Sequence, residues 1–377
     1  MARHTLACCL VVRNEEKSII SCLDHIDILA DEIVIVDTGS TDRTSDAINW
    51  WIKKKHAEKN VKLLRVGDRF HDKDGDFDFG KAKTFAFKNA TREYVMWLDA
   101  SDIVFDQKRI KRTFLEETFK NTNTYFVLPT ALSKTFSFNR ARIGPRSTAS
   151  ITGRIHEYMT FTNAKELKRV IIPVPIKNFK KTRDLGRNLR LLLKEWDKEK
   201  TSRTCFYLAS TYRDMMNPEK ALEWFRKRAY DFTFREDFKE EYFKALESIA
   251  EITLEHIHTK FARVMDIYDV AQEMIEKEPD RYEGYFYMGK YYMEQEKWES
   301  AIEELRKYKK CKKPKDIKLW VNGPIYNGKA ILRAIEQCKT ALKYKEVLKP
   351  EEILDYNKPK SSHKVGNQQY FQSDTIK

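Results

Sequence analysis

Val95-Met96-Trp97-Leu98-Asp99-Ala100-Ser101-Asp102 is an apolar run that stops in two carboxylates three residues apart. Its β-branched and aromatic members read as a buried strand, and acids at the carboxyl end of such a strand lie where open α/β sheets place their ligands. Unpaired aspartates at the rim of a core are costly unless a cation or hydrogen-bond donors neutralise them. Two hard oxygen ligands on a short turn suit Mg²⁺ or Mn²⁺, which in turn suits a diphosphate. Standing alone, the same D-x-x-D also reads as a strand followed by an Asp N-cap for a helix starting near Gln107.

The residues upstream favour the first reading. Thr5 to Val12 is a strand candidate, followed by Arg13-Asn14-Glu15-Glu16 and a helical pattern through Ile19, Ile20, Leu23, Ile26 and Leu29. Glu32 to Asp37 is a second strand, Thr38-Gly39-Ser40-Thr41-Asp42 a turn whose Ser or Thr would cap a helix running to about Lys55, and Val61 to Val66 a third strand. The β-α-β-α-β order predicts a parallel sheet with right-handed crossovers. Asp37 closes its strand as Asp99 does, so two strands would deliver carboxylates to one edge. There is no G-x-G-x-x-G after the first strand and no G-x-x-x-x-G-K-[ST] in the chain, so neither a dinucleotide fingerprint nor a Walker loop is present. Between the third strand and Asp99 lies His71-Asp72-Lys73-Asp74-Gly75-Asp76-Phe77-Asp78, then a helix from Lys81 to Ala90. Lys83 stands where a calcium loop would carry its bidentate Glu, so the segment reads as a polar loop or as a pocket wall from which Lys81 or Lys83 reaches phosphate.

Cys9-Leu10-Val11-Val12-Arg13-Asn14-Glu15-Glu16, Val36-Asp37-Thr38-Gly39-Ser40-Thr41-Asp42-Arg43-Thr44, Asp78-Phe79-Gly80-Lys81-Ala82-Lys83-Thr84 and Trp97-Leu98-Asp99-Ala100-Ser101-Asp102 resemble the successive blocks of family 2 glycosyltransferases with the GT-A fold, over roughly residues 5 to 180. The resemblance implies that Val12, Arg13, Asn14 and Glu15 line the base pocket of a nucleotide sugar, usually a UDP-sugar, and that Asp37 bonds the base or ribose. It places Lys83 and Ala100 among the donor contacts, and Asp99 and Asp102 in a metal motif commonly written D-A-D-D or D-A-D-E. Ser101 replaces the middle acid of that motif, and Ala82-Lys83-Thr84 replaces an A-R-N, keeping a charge but losing the Arg fork. By the same resemblance His156 is a candidate third ligand for Mn²⁺ or Mg²⁺, or a ligand of the diphosphate. Glu157 is the candidate base for an inverting transfer, which needs one carboxylate to take the proton of an acceptor hydroxyl, with Asp102 or an acid elsewhere as the alternative.

Phe105 to Phe119 reads as a helix, Thr124 to Leu128 as a strand, and Val170 to Ile176, with Pro173 and Pro175, as an edge strand. Ser133 to Ser150, basic and hydroxyl-rich with Arg140, Arg142 and Arg146, reads as a surface loop or as an acceptor or phosphate contact. From about Asp184 the chain turns helical. Arg203 to Asp231 and Arg281 to Pro314 carry the small and aromatic spacings of tetratricopeptide-like helix pairs, with Phe243 to Pro279 a degenerate unit between them. Their aromatic stripe is most simply inter-helix core, while the concave face of such a solenoid could hold a peptide or protein acceptor or a second copy of the chain.

The expected architecture is therefore α/β: a Rossmann-like GT-A domain over residues 1–180, an all-α repeat domain over 184–356, and a disordered tail over 357–377. The 377 residues and 41% hydrophobic content can supply such cores. The six cysteines form no C-x-x-C pair and no run is long enough to span a membrane, which predicts a cytoplasmic protein. The net charge of +14 is spread among 57 acids rather than blocked, which argues against nucleic acid as a partner. The rivals to a transferase acting on a glycan, peptide or protein are an inactive repeat scaffold and a nucleotidyltransferase; the latter lacks its glycine-rich loop here.

Overall fold

A computed structural model of the chain describes residues 3–55, 60–131, 137–178, 184–232, 239–312 and 328–347. Four parallel strands form one half of the sheet: β1 (Leu6–Val12), β2 (Glu32–Asp37), β3 (Asn60–Arg65) and β4 (Tyr94–Asp99), in the spatial order β3-β2-β1-β4. Side chains along these strands alternate between two cores, as a period of two requires. Leu6, Cys8, Leu10, Met96 and Leu98 pack with α1 (Ile19–Ile26), α2 (Thr44–Lys55) and α4 (Gln107–Lys120). Ala7, Cys9, Val95 and Trp97 pack on the other face with α3 (Phe79–Asn89).

The sheet continues through antiparallel β7 (Ser137–Pro145) to β6 (Thr124–Ala131), which β10 (Lys168–Ile171) and β11 (Ile176–Asn178) both join in parallel. Short β5 (Asp102–Val104) closes the far edge against β11. Two differences from the sequence reading stand out. Pro173 and Pro175 separate β10 from β11 rather than sitting inside one edge strand, because proline gives no ladder hydrogen bond. The part of Ser133 to Ser150 that is described is largely strand β7, and Arg142 within it is wholly buried.

A small hairpin, β8 (Ala149–Thr152) with β9 (Tyr158–Phe161), covers α3. The approach is close: a Cβ on Gly80 would stand 2.5 Å from the Gly153 carbonyl oxygen, so only glycine lets α3 seat there. Thr84 fixes the contact by donating to the Ile151 carbonyl at 3.2 Å and accepting from the Ile151 N–H at 2.9 Å.

The second half is helical: α5 (Leu185–Lys198), α6 (Ser202–Asp214), α7 (Pro218–Tyr230), α8 (Lys239–Glu255), α9 (Val264–Lys277), α10 (Tyr282–Glu294), α11 (Trp298–Arg306) and α12 (Lys329–Val347). Each of α5 to α11 packs on the next and α12 packs on α11, with a separate core running from Phe206 to Cys338, as in a tetratricopeptide-like solenoid. The expected units correspond to α6–α7, α8–α9 and α10–α11. The tail expected to be disordered lies outside the described residues.

Candidate active site

β1 lies between β2 and β4, and its end pairs Val12 with Asp37 on one side and Val11 with Asp99 on the other. Both acids thus stand at one sheet edge, as their positions after apolar runs predict. Their surroundings differ. Asp37 is buried and spends its carboxylate on the following turn: Oδ1 accepts from the Gly39 and Ser40 N–H groups at 3.1 and 2.8 Å, and Oδ2 from the Ser45 hydroxyl at 2.6 Å. Asn14, at φ 54°, accepts from the Thr41 N–H at 2.8 Å, and the Glu15 N–H donates to Thr44 Oγ1 at 2.7 Å. The Val12 carbonyl accepts from the Thr38 N–H at 3.0 Å. The block from Val12 to Glu15 is therefore clamped to the Thr38–Thr44 turn, leaving Arg13 exposed beside the His71 ring at 3.0 Å.

Asp99 is the open member of the edge, with 38% of its side chain exposed. Asp78 caps α3 by accepting from the Lys81 N–H, and the helix so started aims Lys83 into the interior. The Lys83 ammonium donates to Asp99 Oδ1 at 2.8 Å and to Glu157 Oε1 at 2.5 Å, and lies 4.2 Å from the centre of the Trp97 ring. Glu157 enters from the β8–β9 connection, so three segments far apart in sequence meet on one ammonium. Burial works against charge here, yet the carboxylates of Asp99 and Glu157 outweigh it and hold Lys83 above the usual lysine range. Burial likewise opposes ionisation of Asp99, but Lys83 and Arg142 bring its pKa down to about 2. Glu157 is also held below its ordinary value: Lys83, and more weakly Arg140, overcome burial and the neighbouring Asp99 charge.

Asp102 is fully buried. Its Oδ2 accepts from the Asp99 N–H at 3.0 Å and from Arg142 at 3.1 Å, while Arg142 also donates to Thr130 Oγ1 at 3.2 Å. Arg142 and Arg140 stand 4.0 and 4.7 Å from the Trp97 ring centre, so three cations surround one indole. Arg140 donates to the Glu157 carbonyl at 2.9 Å. His156, at φ 53°, stacks on Tyr207 of α6 with ring centres 3.9 Å apart, and its carbonyl accepts from Arg203 at 3.2 Å. Ala100 is buried in the turn between the two acids.

These positions test the fit of a divalent cation. The three residues expected to hold it are each engaged elsewhere: Asp99 by Lys83, Asp102 by Arg142 and its own turn, His156 by Tyr207. Among the described residues there is no group of three or more His, Cys, Asp or Glu side chains that could hold a metal ion. As arranged, the donor set does not fit a resident Mn²⁺ or Mg²⁺. Five residues of the cluster went unassigned or misplaced in the sequence reading. Trp97 read as plain core, Arg140 and Arg142 as part of a surface loop or an acceptor or phosphate contact, and Arg203 and Tyr207 as part of a helical stripe. For the arginines a signal exists in Phe138-Asn139-Arg140-Ala141-Arg142-Ile143, whose period of two puts both on one strand face.

Residues 8–161 match the model of the family described as glycosyl transferase family 2. A TPR repeat-containing protein of Synechococcus elongatus is 30% identical over 101 residues, which are 27% of this chain and 21% of that protein, so the chain spans about a fifth of that relative's length. Among solved structures, Staphylococcus aureus TarS 1-349 in complex with UDP-GlcNAc aligns at 12% identity with a TM-score of 0.35, over 81% of this chain and 91% of that one. Mycobacterium tuberculosis glucosyl-3-phosphoglycerate synthase with Mn²⁺, UDP and phosphoglyceric acid aligns at 14% identity with a TM-score of 0.34, over 49% and 73%. Among the described residues no helix is long and apolar enough to cross a membrane.

Proposed function

Residues 8–161 form a family 2 glycosyltransferase domain, and from that premise we propose that the chain moves a sugar, with inversion, from a nucleoside diphosphate donor, a UDP-sugar by preference, to an acceptor hydroxyl on a glycan, peptide or protein. The observation that carries this reading is the Lys83 ammonium joined to both Asp99 and Glu157 at the open sheet edge. Glu157 is ionised at neutral pH and is the base: it takes the acceptor proton as the acceptor oxygen attacks the anomeric carbon from the face opposite the diphosphate. Asp99, the exposed carboxylate, contacts the donor, and Asp102 holds the turn that presents it. Val12, Arg13, Asn14 and Glu15 shape the base pocket, and Asp37 fixes that pocket's floor through its turn. The six cysteines are free and buried, which supports a reducing, cytoplasmic setting. The helical repeats present the acceptor or pair with a second copy.

Titration of the purified chain against UDP-, GDP- and CMP-sugars, followed by a transfer assay, tests the reading. Glu157→Gln is expected to lower turnover by about 10²–10⁴ while donor affinity stays within about threefold. Full turnover in that variant would move the base elsewhere. Failure of the wild type to bind any sugar nucleotide would favour a scaffold whose repeats do the work.

A further inference from the structure

We propose that the positive charge needed by the departing nucleoside diphosphate is built into this chain as Lys83, so that donor binding and transfer proceed without a divalent cation. The inference rests on the transferase reading given above and concerns the same edge.

Two changes meet at one point. Ser101 stands where an acid would hold a cation, and a hydroxyl is a poor ligand for a hard divalent ion in comparison with a carboxylate. Lys83, on a different element, puts its ammonium 2.8 Å from Asp99, the one carboxylate of the turn that remains open to solvent. A lysine so placed is not exchangeable. Its side chain is 4% exposed, a second carboxylate holds it from Glu157, and the Trp97 ring lies against it. A metal ion arriving at Asp99 would have to compete with a buried ammonium already bonded there, and displacing it would leave Glu157 unmatched.

The charge around Trp97 is balanced by the chain itself. Lys83, Arg140 and Arg142 face Asp99, Asp102 and Glu157, so the acids offer no net negative field to collect a free divalent ion. A diphosphate that reaches Asp99 meets the ammonium already in place, with Arg140 beside it. In the transfer, the bond between the anomeric carbon and the diphosphate oxygen breaks and its electron pair leaves on that oxygen. The acceptor oxygen forms the new bond and its proton passes to Glu157. Lys83 and Arg140 stabilise the charge that develops on the leaving group, and both remain protonated throughout. Lys83 also holds Asp99 and Glu157 at their separation, and in that sense it is a positioning residue.

Calorimetric titration of UDP into the full chain, in excess EDTA and in excess MnCl₂, tests the idea on the wild type, Lys83→Arg and Lys83→Met, with GDP and CMP run in parallel. The wild type is expected to bind equally in both buffers, within about twofold, and Lys83→Met to lose about tenfold or more in EDTA. Mn²⁺ is expected to restore part of that loss only in Lys83→Met, where Asp99 and Glu157 are released to hold an ion. A merely structural lysine would give no such rescue. Lys83→Arg keeps the charge and retains metal-free binding. Wild-type affinity that rises about tenfold or more on adding Mn²⁺ would overturn the inference and leave the transferase reading standing. No binding of any nucleotide in either buffer would overturn both. Should Lys83→Met fail to fold, the two wild-type titrations still decide.

Discussion

Two acid clusters sit in the N-terminal half, and they resemble each other more in sequence than in use. Asp99, Asp102 and Glu157 meet cations from within the same sheet-bearing region, in an interior built around Trp97. Asp74 and Asp76, on the loop before α3, meet cations from outside it, while Asp72 beside them meets one from the β8–β9 connection. Arg190 of α5 bonds Asp76 at 2.6 Å, Lys194 of α5 bonds Asp74 at 2.8 Å and also Asp76, and Arg154 pairs with Asp72 at 2.8 Å. The first cluster lies at the sheet edge where Asp99 is open to solvent, and the second fastens the helical region to the sheet-bearing domain. What separates them is the element that supplies the counter-charge, which no single stretch of sequence displays.

The sharpest way to break the comparison is to remove a cation from the interior cluster. Arg142→Met strands Asp102 where no water can reach it, and loss of one partner of a buried pair costs about 3–5 kcal/mol. Thermal or denaturant unfolding should show that loss, and the double variant Arg142→Met with Asp102→Leu should recover a good part of it. If the single variant is as stable as the wild type, Asp102 is not held by Arg142 in the way described.

Next in size is an effect on turnover. His156 takes a left-handed backbone, which a non-glycine residue adopts at a cost of about 1–3 kcal/mol unless its surroundings hold it. Tyr207 and Arg203 of α6 supply that hold through the ring stack and the carbonyl contact. Tyr207→Ala should therefore loosen Glu157 and lower kcat by about tenfold, equivalent to about 1.4 kcal/mol, with KM little changed. A fall in KM-dependent binding with unchanged kcat would show that α6 touches the donor rather than the base.

How much of this was legible beforehand follows from the range of each interaction. The strands ending in Asp37 and Asp99 could be read because a buried parallel strand is a local apolar run, and the acid after it is adjacent in sequence. The helix after the acid loop was read to begin at Lys81, whereas the Asp78 cap starts it at Phe79. Lys83 was visible as a departure from A-R-N, but not its bridge to Glu157, which lies 74 residues away. Arg142 was hidden by composition, since Ser133 to Ser150 is basic and hydroxyl-rich like a surface loop, although its arginines alternate on a strand. Tyr207 had no local signal at all: its spacing is that of helix core, and only the fold sets it against His156. The acid loop was read as a polar loop or as a pocket wall, whereas Asp74 and Asp76 face α5 and Asp72 faces Arg154.

The junction cluster gives the smaller, pH-dependent effect. Hydrogen bonds from Arg190 and then Lys194 bring the Asp76 pKa down to about 2. A depressed folded-state value contributes stability that is fully present above the unfolded carboxylate value, near pH 4, and is lost as pH falls through about 2. Asp76→Asn should therefore lower the unfolding temperature at pH 7 by an amount matching about 1 kcal/mol or less, typical of partly exposed pairs. The difference from wild type should shrink between pH 4 and pH 2, and added salt at pH 7 should reduce it as well. A gap that stays constant across that range would mean that the asparagine disturbs the loop's hydrogen bonds rather than its charge.

The smallest expected effect is the most discriminating between the loop's two readings. Four alternating acids invite a calcium reading, but Asp72 already accepts from the N–H groups of Asp74 and Asp76 at 2.9 Å each, and Arg190, Lys194 and Arg154 take the remaining charge. Calcium would have to compete with three tethered cations for the same oxygens, without a bidentate Glu to complete its shell. Millimolar Ca²⁺, or its removal by chelator, should leave the unfolding temperature unchanged in the wild type. The same titration of a Lys194→Ala, Arg190→Ala double variant turns this into a positive test. If the tethered cations are what exclude the ion, freeing Asp74 and Asp76 should give a measurable, saturable rise in unfolding temperature with Ca²⁺. A rise already present in the wild type would show that the loop's acids are open, and the distinction between the two clusters would fail.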